Sequence, residues 1–351
     1  MDVRKIGLVG LACLLAACGG GGQTGEQGAP QQPSGPKTYV AAAATVGDYF
    51  SYKQDSKIDG QANSSEYFTN LVSNVAQDGA KSVKFLADYV MMSEPLEFSS
   101  STSTDEFDST GRQVSSFDGF CTTTFKPSFY YVAPNTISAG MSWQHTGLFE
   151  YQCGTSTIKQ TTMDYKNTVG NLEQVTVAAG TFSAFKVTLN STSESTTTTS
   201  VGERSCWWAP ELGAEVKCSA KIARTVKATG AIKNMEVSYE LQGFAVQKLA
   251  RKSNTVQRFM GTWKGNFNGA ASGTCALTFA QDGTINGNCS GAAIGFGVKG
   301  KIDADGNLTL NLVSNGVTGQ TFTGKVDSLQ QISGVWSVPN YGNGTWTITQ
   351  D

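Results

Sequence analysis

Apolar and polar residues alternate with a period of two along most of the chain beyond residue 38. One such segment places Met141, Trp143, His145, Gly147, Phe149, Tyr151 and Cys153 on a single face. Strict alternation of this kind indicates antiparallel strands that bury one face, and no segment sustains the 3.6-residue period of a helix. We therefore predict an all-β protein, with a curved antiparallel sheet (an open barrel or a sandwich) over residues 38–250.

The alternation becomes shorter and more regular after a polar stretch at 251–257, which we interpret as a hinge. Turn signals such as Gln281-Asp282-Gly283 separate several of the runs that follow. The runs are Met260–Phe267, Thr274–Ala280, Thr284–Ser290, Ile294–Ile302, Leu308–Val313, Thr321–Val326, Ile332–Val338 and Gly344–Thr349. Eight strands in meander order predict a small closed antiparallel barrel over 258–351, with a two-sheet sandwich as the alternative.

The first residues have the composition of an export signal. Arg4 and Lys5 precede the apolar run 6–15, which is too short for a membrane span of about 20 residues. Residues 1–17 are therefore predicted to be a signal peptide. Residues 18–37 are rich in Gly, Pro and Gln and have no large apolar side chain, so we expect a flexible tether.

The end of the signal, Leu15-Ala16-Ala17-Cys18, resembles the lipobox of bacterial lipoproteins. The resemblance implies that Cys18 is lipidated, that residues 1–17 are removed, and that acyl chains such as palmitate anchor the protein in a membrane. Gly19 stands where lipoproteins kept in the inner membrane usually carry Asp. The resemblance therefore implies the outer membrane of a Gram-negative bacterium, with either leaflet open. An ordinary signal peptide with an incidental Cys18 is the alternative.

Six cysteines remain besides Cys13 and Cys18, and an even number in an exported chain favours disulfides over metal ligands. Folding the segment about Asp282 places Cys275 opposite Cys289, and folding about Leu212 places Cys206 near Cys218. Cys121 and Cys153 then pair by elimination. Zinc is the alternative, but the chain has no CxxC and one histidine. We expect no metal and no cofactor.

Two further resemblances concern the folded part. Val46-Gly47-Asp48-Tyr49-Phe50, the segment 175–182 and the segment 207–213 are similar to motifs of an uncharacterised class of bacterial envelope β-proteins. That similarity implies a curved, partly open sheet around an apolar hollow. Gly261-Thr262-Trp263 resembles the Gly-x-Trp of the calycins (lipocalins and avidins), which implies a barrel closed at one end by a Trp.

A hollow small barrel would present apolar side chains to a ligand. The candidate lining residues are Trp263, Phe279, Phe296, Leu310 and Trp346. Only 15% of residues are charged, the net charge is −2 and no basic run occurs, so nucleic acid is excluded as a partner. The partners we expect are the membrane, through the lipid, and an apolar small molecule or an envelope protein.

Two motifs have simpler interpretations than their consensus suggests. Residues 295–300 read G-x-G-x-x-G but alternate like a strand, whereas a dinucleotide fingerprint must lead into a helix. Residues 303–307 begin like a calcium loop but lack its distal Glu, so we predict a hairpin turn.

His145 is the only histidine, and a Ser or Cys nucleophile usually needs such a base. We interpret it as a core or rim side chain and predict no catalytic residue. The function expected is non-catalytic binding of an apolar molecule, lipid or glycan. A protein-interaction module is the alternative, and a hydrolase that uses two carboxylates ranks last.

Overall fold

The structure of the chain is a computed structural model that describes residues 37–60, 63–91, 97–130, 133–253, 255–291, 295–313, 321–327, 331–340 and 342–350. The predicted signal peptide, the lipidation site Cys18 and all of the predicted tether except Lys37 lie outside the described residues. Within the described ranges the regular structure is strand, apart from two short 3₁₀ turns at Gln247–Leu249 and Val256–Phe259. No helix there is long and apolar enough to cross a membrane.

The first part of the chain forms long strands, most of which pair with their neighbours in sequence. They are β1 (Tyr39–Val40), β2 (Tyr49–Ile58), β3 (Ser64–Val75), β4 (Lys81–Met91), β5 (Glu97–Phe107), β6 (Gln113–Phe117), β7 (Cys121–Phe129), β8 (Thr136–Ile137), β9 (Ser142–Cys153), β10 (Lys159–Val177), β11 (Gly180–Ser195), β12 (Thr198–Ala209), β13 (Ala214–Val226), β14 (Ile232–Val246) and β15 (Arg251–Lys252).

These strands confirm the antiparallel sheet, and they close it completely. The order runs from β13 through β12, β11, β10, β9, β7, β6, β5, β4, β3 and β2 to β14, and β14 also pairs with β13. From the sequence we predicted an open barrel or a sandwich for this region. The barrel is closed because β14 pairs with both β2 and β13, so neither edge of the sheet is left unpaired. We call this assembly the large barrel.

The core of the large barrel concentrates at one end. Tyr52 stacks on Phe68 with 4.8 Å between ring centroids, and Phe182 of β11 contacts Phe244 of β14 at 5.7 Å. A second cluster joins Trp208 and Phe185 to Ile137, from the two-stranded β1–β8 sheet. Met141 and Trp143, from the alternating segment that predicted a strand, pack against this second cluster.

The last part of the chain forms a separate closed barrel, as predicted. Its strands are β16 (Gly261–Gly269), β17 (Gly273–Phe279), β18 (Thr284–Gly291), β19 (Gly295–Ile302), β20 (Asn307–Val313), β21 (Thr321–Val326), β22 (Gln331–Val338) and β23 (Gly342–Gln350). We call it the small barrel. Each strand pairs with the next, and β23 returns to pair with β16.

Three disulfides join the described cysteines, and they are the predicted pairs: Cys121–Cys153, Cys206–Cys218 and Cys275–Cys289. Each pair occupies directly opposed positions on antiparallel neighbours. The pairing therefore follows from strand register, which is the argument that predicted two of the three bridges.

The segment predicted as a polar hinge packs against both barrels. Residues 251–252 form β15, which pairs with β14, and the following 3₁₀ turn buries Arg258 and Phe259. Arg258 donates to the Tyr49 hydroxyl in the large barrel (3.2 Å) and to the Ala304 carbonyl in the small barrel (2.5 Å). These contacts, together with Gln350, which donates to Thr69 (3.4 Å), form what we call the joint.

Candidate functional site

The register of the large barrel aligns exposed polar residues from neighbouring strands into a row. The row takes one residue from each of seven adjacent strands: Gln144, Lys166, Asn190, Glu203, Lys221, Glu236 and Lys57. All of them are exposed. We call this row the charged ladder, because Lys and Glu alternate over its last four positions.

Two parallel rows flank the charged ladder on the same sheet face, each two residues along the strands. The hydroxyl ladder contains Ser142, Thr168, Thr188, Ser205, Ser219, Ser238, Asp55 and Ser65. The mixed ladder contains Thr146, Asp164, Thr192, Val201, Ala223 and Asn234. Side chains of directly opposed residues lie about 5 Å apart, so each row is a continuous strip.

Two hollows follow the spaces between these ladders. The first, of about 690 Å³, is bordered by residues of the charged and mixed ladders on β9 to β14. The intervening residue of each strand, on the core face, also lines it: His145, Tyr165, Ser191, Gly202, Ile222 and Met235. The second, of about 710 Å³, is bordered by the charged and hydroxyl ladders on β2, β3 and β12 to β14. They share Glu203, Lys221 and Glu236. Each volume falls within the range of about 300–1,000 Å³ that is usual for ligand sites.

The shared residues keep their hydrogen-bonding groups accessible. Lys221 and Glu236 form an ion pair at 3.5 Å, and their side chains remain 80% and 55% exposed. An ion pair this exposed contributes at most about 1 kcal/mol, so a ligand can replace it at small cost. The charged ladder and its two neighbouring ladders thus offer ammonium and amide donors beside carboxylate and hydroxyl acceptors. These groups can form hydrogen bonds with a polyhydroxylated molecule.

The side chains of the intervening positions turn to the opposite face of the sheet, the core face. His145 lies there, stacked on Tyr165 with 5.1 Å between centroids and 5.7 Å from Phe129. Burial lowers the pKa of His145, and the positive charge of Arg112 lowers it further. Within the described ranges the ring makes no hydrogen bond to a hydroxyl or thiol. It is packed as an aromatic core residue, which agrees with the interpretation from the sequence.

A buried polar cluster fixes the disulfide end of β12 and β13. Arg204 donates to both carboxylate oxygens of Glu215 (2.8 and 2.9 Å), and Tyr239 also donates to that carboxylate. Burial raises the pKa of Glu215, while the Arg204 charge opposes the rise. The Tyr52 hydroxyl donates to the Glu215 carbonyl at 2.9 Å. The cluster ties β2, β12, β13 and β14 together behind the ladders.

The same region brings three potential metal ligands together. One atom each of Cys206, Glu215 and Cys218 lie within 4.8 Å of one another. The two sulfurs are bonded to each other and Glu215 is engaged by Arg204, so neither thiolates nor a free carboxylate face a cation. The arrangement is a structural crosslink.

The candidate lining residues of the small barrel meet in its interior. Trp263, Phe279, Leu310 and Trp346 are at most 1% exposed, and Phe296 packs against the same cluster. Trp263 stacks on Phe279 at 5.1 Å. These side chains pack together with those of Phe322 and Trp336 in one continuous core. The interior of the small barrel is therefore filled by its own aromatic residues.

The two motifs examined in the sequence have the predicted local structure. Residues 295–300 lie on β19, which leads into the turn before β20 rather than into a helix. In the turn 303–307, the Asp303 carboxylate accepts the backbone N–H groups of Asp305 and Asn307, both at 2.9 Å. That carboxylate is engaged in closing the hairpin.

The ladders were not found by sequence reasoning. Their residues are separated by up to about 180 positions, and only the strand register places them together. A weak signal exists, because polar residues occupy alternate positions on β10 to β14, as in Ser219 and Lys221. Such alternation marks the solvated face of any strand and does not distinguish a binding face.

Comparisons with known proteins give distant structural likenesses. No family model matches the chain, and no curated protein sequence matches it. A candidate exported protein with a YmcC-like fold from Bacteroides fragilis is 10% identical, covers 59% of this chain and 99% of its own, and has a TM-score of 0.35.

Two further solved structures are similar to this chain at a comparable level. The hypothetical lipoprotein YmcC from Escherichia coli is 9% identical, with coverage of 54% and 87% and a TM-score of 0.27. A candidate lipoprotein from Parabacteroides distasonis is 13% identical, with coverage of 59% and 99% and a TM-score of 0.30. These values do not place the chain in a family.

Proposed function

We propose that the chain is a non-catalytic glycan-binding protein, anchored by lipid on Cys18 in the outer membrane of a Gram-negative bacterium. The envelope location is supported by the lipobox resemblance and by three disulfides, which form and persist where thiols oxidise. The binding role is supported by the large barrel and not by the small one, whose interior is packed.

One observation carries the glycan assignment: the two hollows meet along Glu203, Lys221 and Glu236. Together they border a wide polar strip on which charged, amide and hydroxyl groups repeat from strand to strand. A glycan presents hydroxyl groups at regular intervals and can pair with such a repeated array. An apolar small molecule or lipid that buried these donors and acceptors would leave them unpaired, at a cost of about 1–3 kcal/mol for each buried group.

The test is binding of the detergent-extracted full-length protein to a panel of immobilised bacterial envelope glycans, including peptidoglycan fragments, O-polysaccharides and capsular polysaccharides. We expect saturable binding to at least one of them. Lys221→Ala should weaken it about tenfold, the equivalent of roughly 1.4 kcal/mol, because a charged hydrogen bond is lost.

Lys299→Ala serves as the matched control, because Lys299 is also an exposed strand lysine but lies on the small barrel. Its affinity should equal that of the unmodified protein. Absence of binding across the panel, or equal losses in the two variants, would contradict the proposal.

A glycan hydrolase is the second candidate, since Glu203 and Glu236 flank Lys221 on the charged ladder. Two strand spacings place their backbones about 10 Å apart, near the carboxylate separation of inverting glycosidases. Both glutamates are exposed, whereas glycosidase general acids lie in sites that exclude water. Release of shortened products from a bound glycan, abolished by Glu203→Gln, would favour this candidate over non-catalytic binding.

A further inference from the structure

The core face of the large barrel is packed at one end and open at the other. Tyr52, Phe68 and Leu241 are buried in the packed core. Toward the opposite end, Ile222 on β13 and Met235 on β14 lie directly opposite each other and are only half-buried. A barrel of about eight strands is just filled by its own side chains, so this closed barrel of twelve has room inside. The interior in front of the apolar pair is therefore accessible to a small ligand but not to a folded protein.

Two basic residues lie on the same face, two positions nearer the hairpin that joins β13 to β14. Arg224 is directly opposite Lys233, and both are exposed. Within the described ranges neither forms an ion pair. Like charges opposed in this way destabilise the pairing of their strands, and an anion between them removes the repulsion. The wall thus presents apolar groups inside and two cations near the open end, which suits an amphipathic anion.

Exposed apolar residues surround this open end. Phe120, between β6 and β7, is 69% exposed, and Ile158, just before β10, is 47% exposed. Ile232, the first residue of β14, is 61% exposed. It lies across the open end from the other two, because five strand pairings out of twelve separate β9 from β14. Apolar side chains on opposite sides of one opening favour contact with a membrane surface.

We propose that the large barrel takes up an acyl chain of a membrane phospholipid through its open end, with the phosphate between Arg224 and Lys233. The acyl chain covers the apolar surface that Ile222 and Met235 leave open, and this burial is favourable. The phosphate oxygens accept charge-assisted hydrogen bonds from the two basic side chains. The ladders face outward, so this inference does not depend on the proposed glycan-binding function.

The proposed lipid anchor would allow the open end to reach the membrane. Tyr39 pairs with Ile137 at the packed end, so the described chain begins there. The twelve residues of β9 extend over about 40 Å toward the open end. Residues 18–37 can span at most about 65 Å. The tether is therefore long enough for the open end to face the bilayer that holds Cys18.

Photocrosslinking in living Gram-negative cells tests the site on the full-length, membrane-bound protein. The photoreactive amino acid p-benzoylphenylalanine replaces Ile222, Met235 or Lys186 in separate variants. Phospholipids are labelled with radioactive phosphate, which the acyl chains on Cys18 do not contain. Lys186 is the matched control, because it is exposed on the outer face of β11. We expect a labelled adduct at positions 222 and 235 after irradiation and none at position 186.

Variants of the basic pair give a second arm. Arg224→Gln combined with Lys233→Gln should lower the yield of labelled adduct at position 235 at least about fivefold, because two charged hydrogen bonds to the phosphate are lost. Lys299→Gln, on an exposed strand lysine of the small barrel, is the control and should leave the yield unchanged. Equal yields in the two backgrounds would overturn the position given to the phosphate.

Variants of the apolar residues around the open end give a third arm. Phe120→Ser combined with Ile158→Ser should also lower the yield at position 235, since contact with the bilayer is weakened. Val335→Ser is the matched control, because Val335 is a 58% exposed strand valine on the small barrel. A yield that is equal in these two backgrounds would contradict entry from the membrane through this end.

The outcomes separate this inference from the proposed function. Absence of a labelled adduct at both core-face positions, or an equal yield at position 186, would overturn the inference and leave glycan binding by the ladders untouched. An adduct that mass spectrometry shows to contain no phosphate would also overturn it. Near-UV circular dichroism shows whether each variant keeps the native fold, and position 235 still tests the inference if the variant at position 222 does not fold.

Discussion

His145 illustrates how the surroundings of a single residue decide its role. It stacks on Tyr165, and Gly147, two residues along the strand, leaves room for the imidazole: a Cβ atom there would lie 2.2 Å from its Nε2 atom. Burial and Arg112 both lower the pKa of His145 from the ordinary 6.5, so the native state binds a proton there less readily than the unfolded chain does. That difference has a measurable consequence for stability.

The unfolded chain binds a proton at His145 more readily than the native chain does below about pH 6.5. The contribution of His145 to the free energy of unfolding should therefore fall as the pH drops from 7.5 to 5.5. His145→Phe keeps the aromatic packing and removes the titration, so its unfolding free energy should fall less over the same range. Urea unfolding at the two pH values measures both slopes. Identical slopes would show that His145 is equally accessible to protons in the two states.

At the scale of elements, the small barrel could be predicted almost completely. The run Thr284–Ser290 corresponds to β18 (Thr284–Gly291), and Thr321–Val326 coincides with β21. Each strand pairs with its neighbours in sequence, and Gly-containing turns mark many of the ends. The alternation of apolar residues and the turn residues were sufficient to predict the small barrel, because nearly all of its strand pairings join neighbours in sequence.

The large barrel could be predicted only as a sheet. Its closure requires β14 to pair with β2, which lies about 180 residues earlier in the chain. Bulges between Val169 and Leu172, between Trp207 and Trp208, and between Leu241 and Gly243 change which residues share a face. A shift of one residue moves every side chain to the other face, so period two alone could not assemble the ladders.

Glycines in the small barrel make room for its tryptophans, and this provides an element-scale prediction. A Cβ atom on Gly324 would lie 2.8 Å from the ring of Trp346, whose indole N–H is held by the Thr323 carbonyl. Gly324→Ala should therefore lower the free energy of unfolding by about 1–3 kcal/mol, the usual cost of overpacking. Gly295→Ala, where no atom lies within 4 Å, is the control. Equal stability of the two variants would contradict this account.

At the scale of the whole molecule, the joint couples two barrels that each have a complete core. Arg258 is 4% exposed and reaches into both barrels, and its Cα and Cβ atoms pack where Gly243 leaves space on β14. Lys252 adds an ion pair to Asp305 at 3.2 Å, which is largely exposed. We therefore expect the barrels to unfold together, although each core is independent.

Arg258→Met should separate that transition into two. The variant keeps the aliphatic stem but removes the hydrogen bonds to Tyr49 and Ala304, and hydrogen bonds to a charged group contribute about 1.5–3 kcal/mol each. Lys252→Met should change little, because an exposed ion pair contributes at most about 1 kcal/mol. Differential scanning calorimetry of both variants distinguishes the cases. One peak for the unmodified protein and two for Arg258→Met are expected. A single peak in both variants would mean that the coupling between the barrels depends on contacts other than those of Arg258.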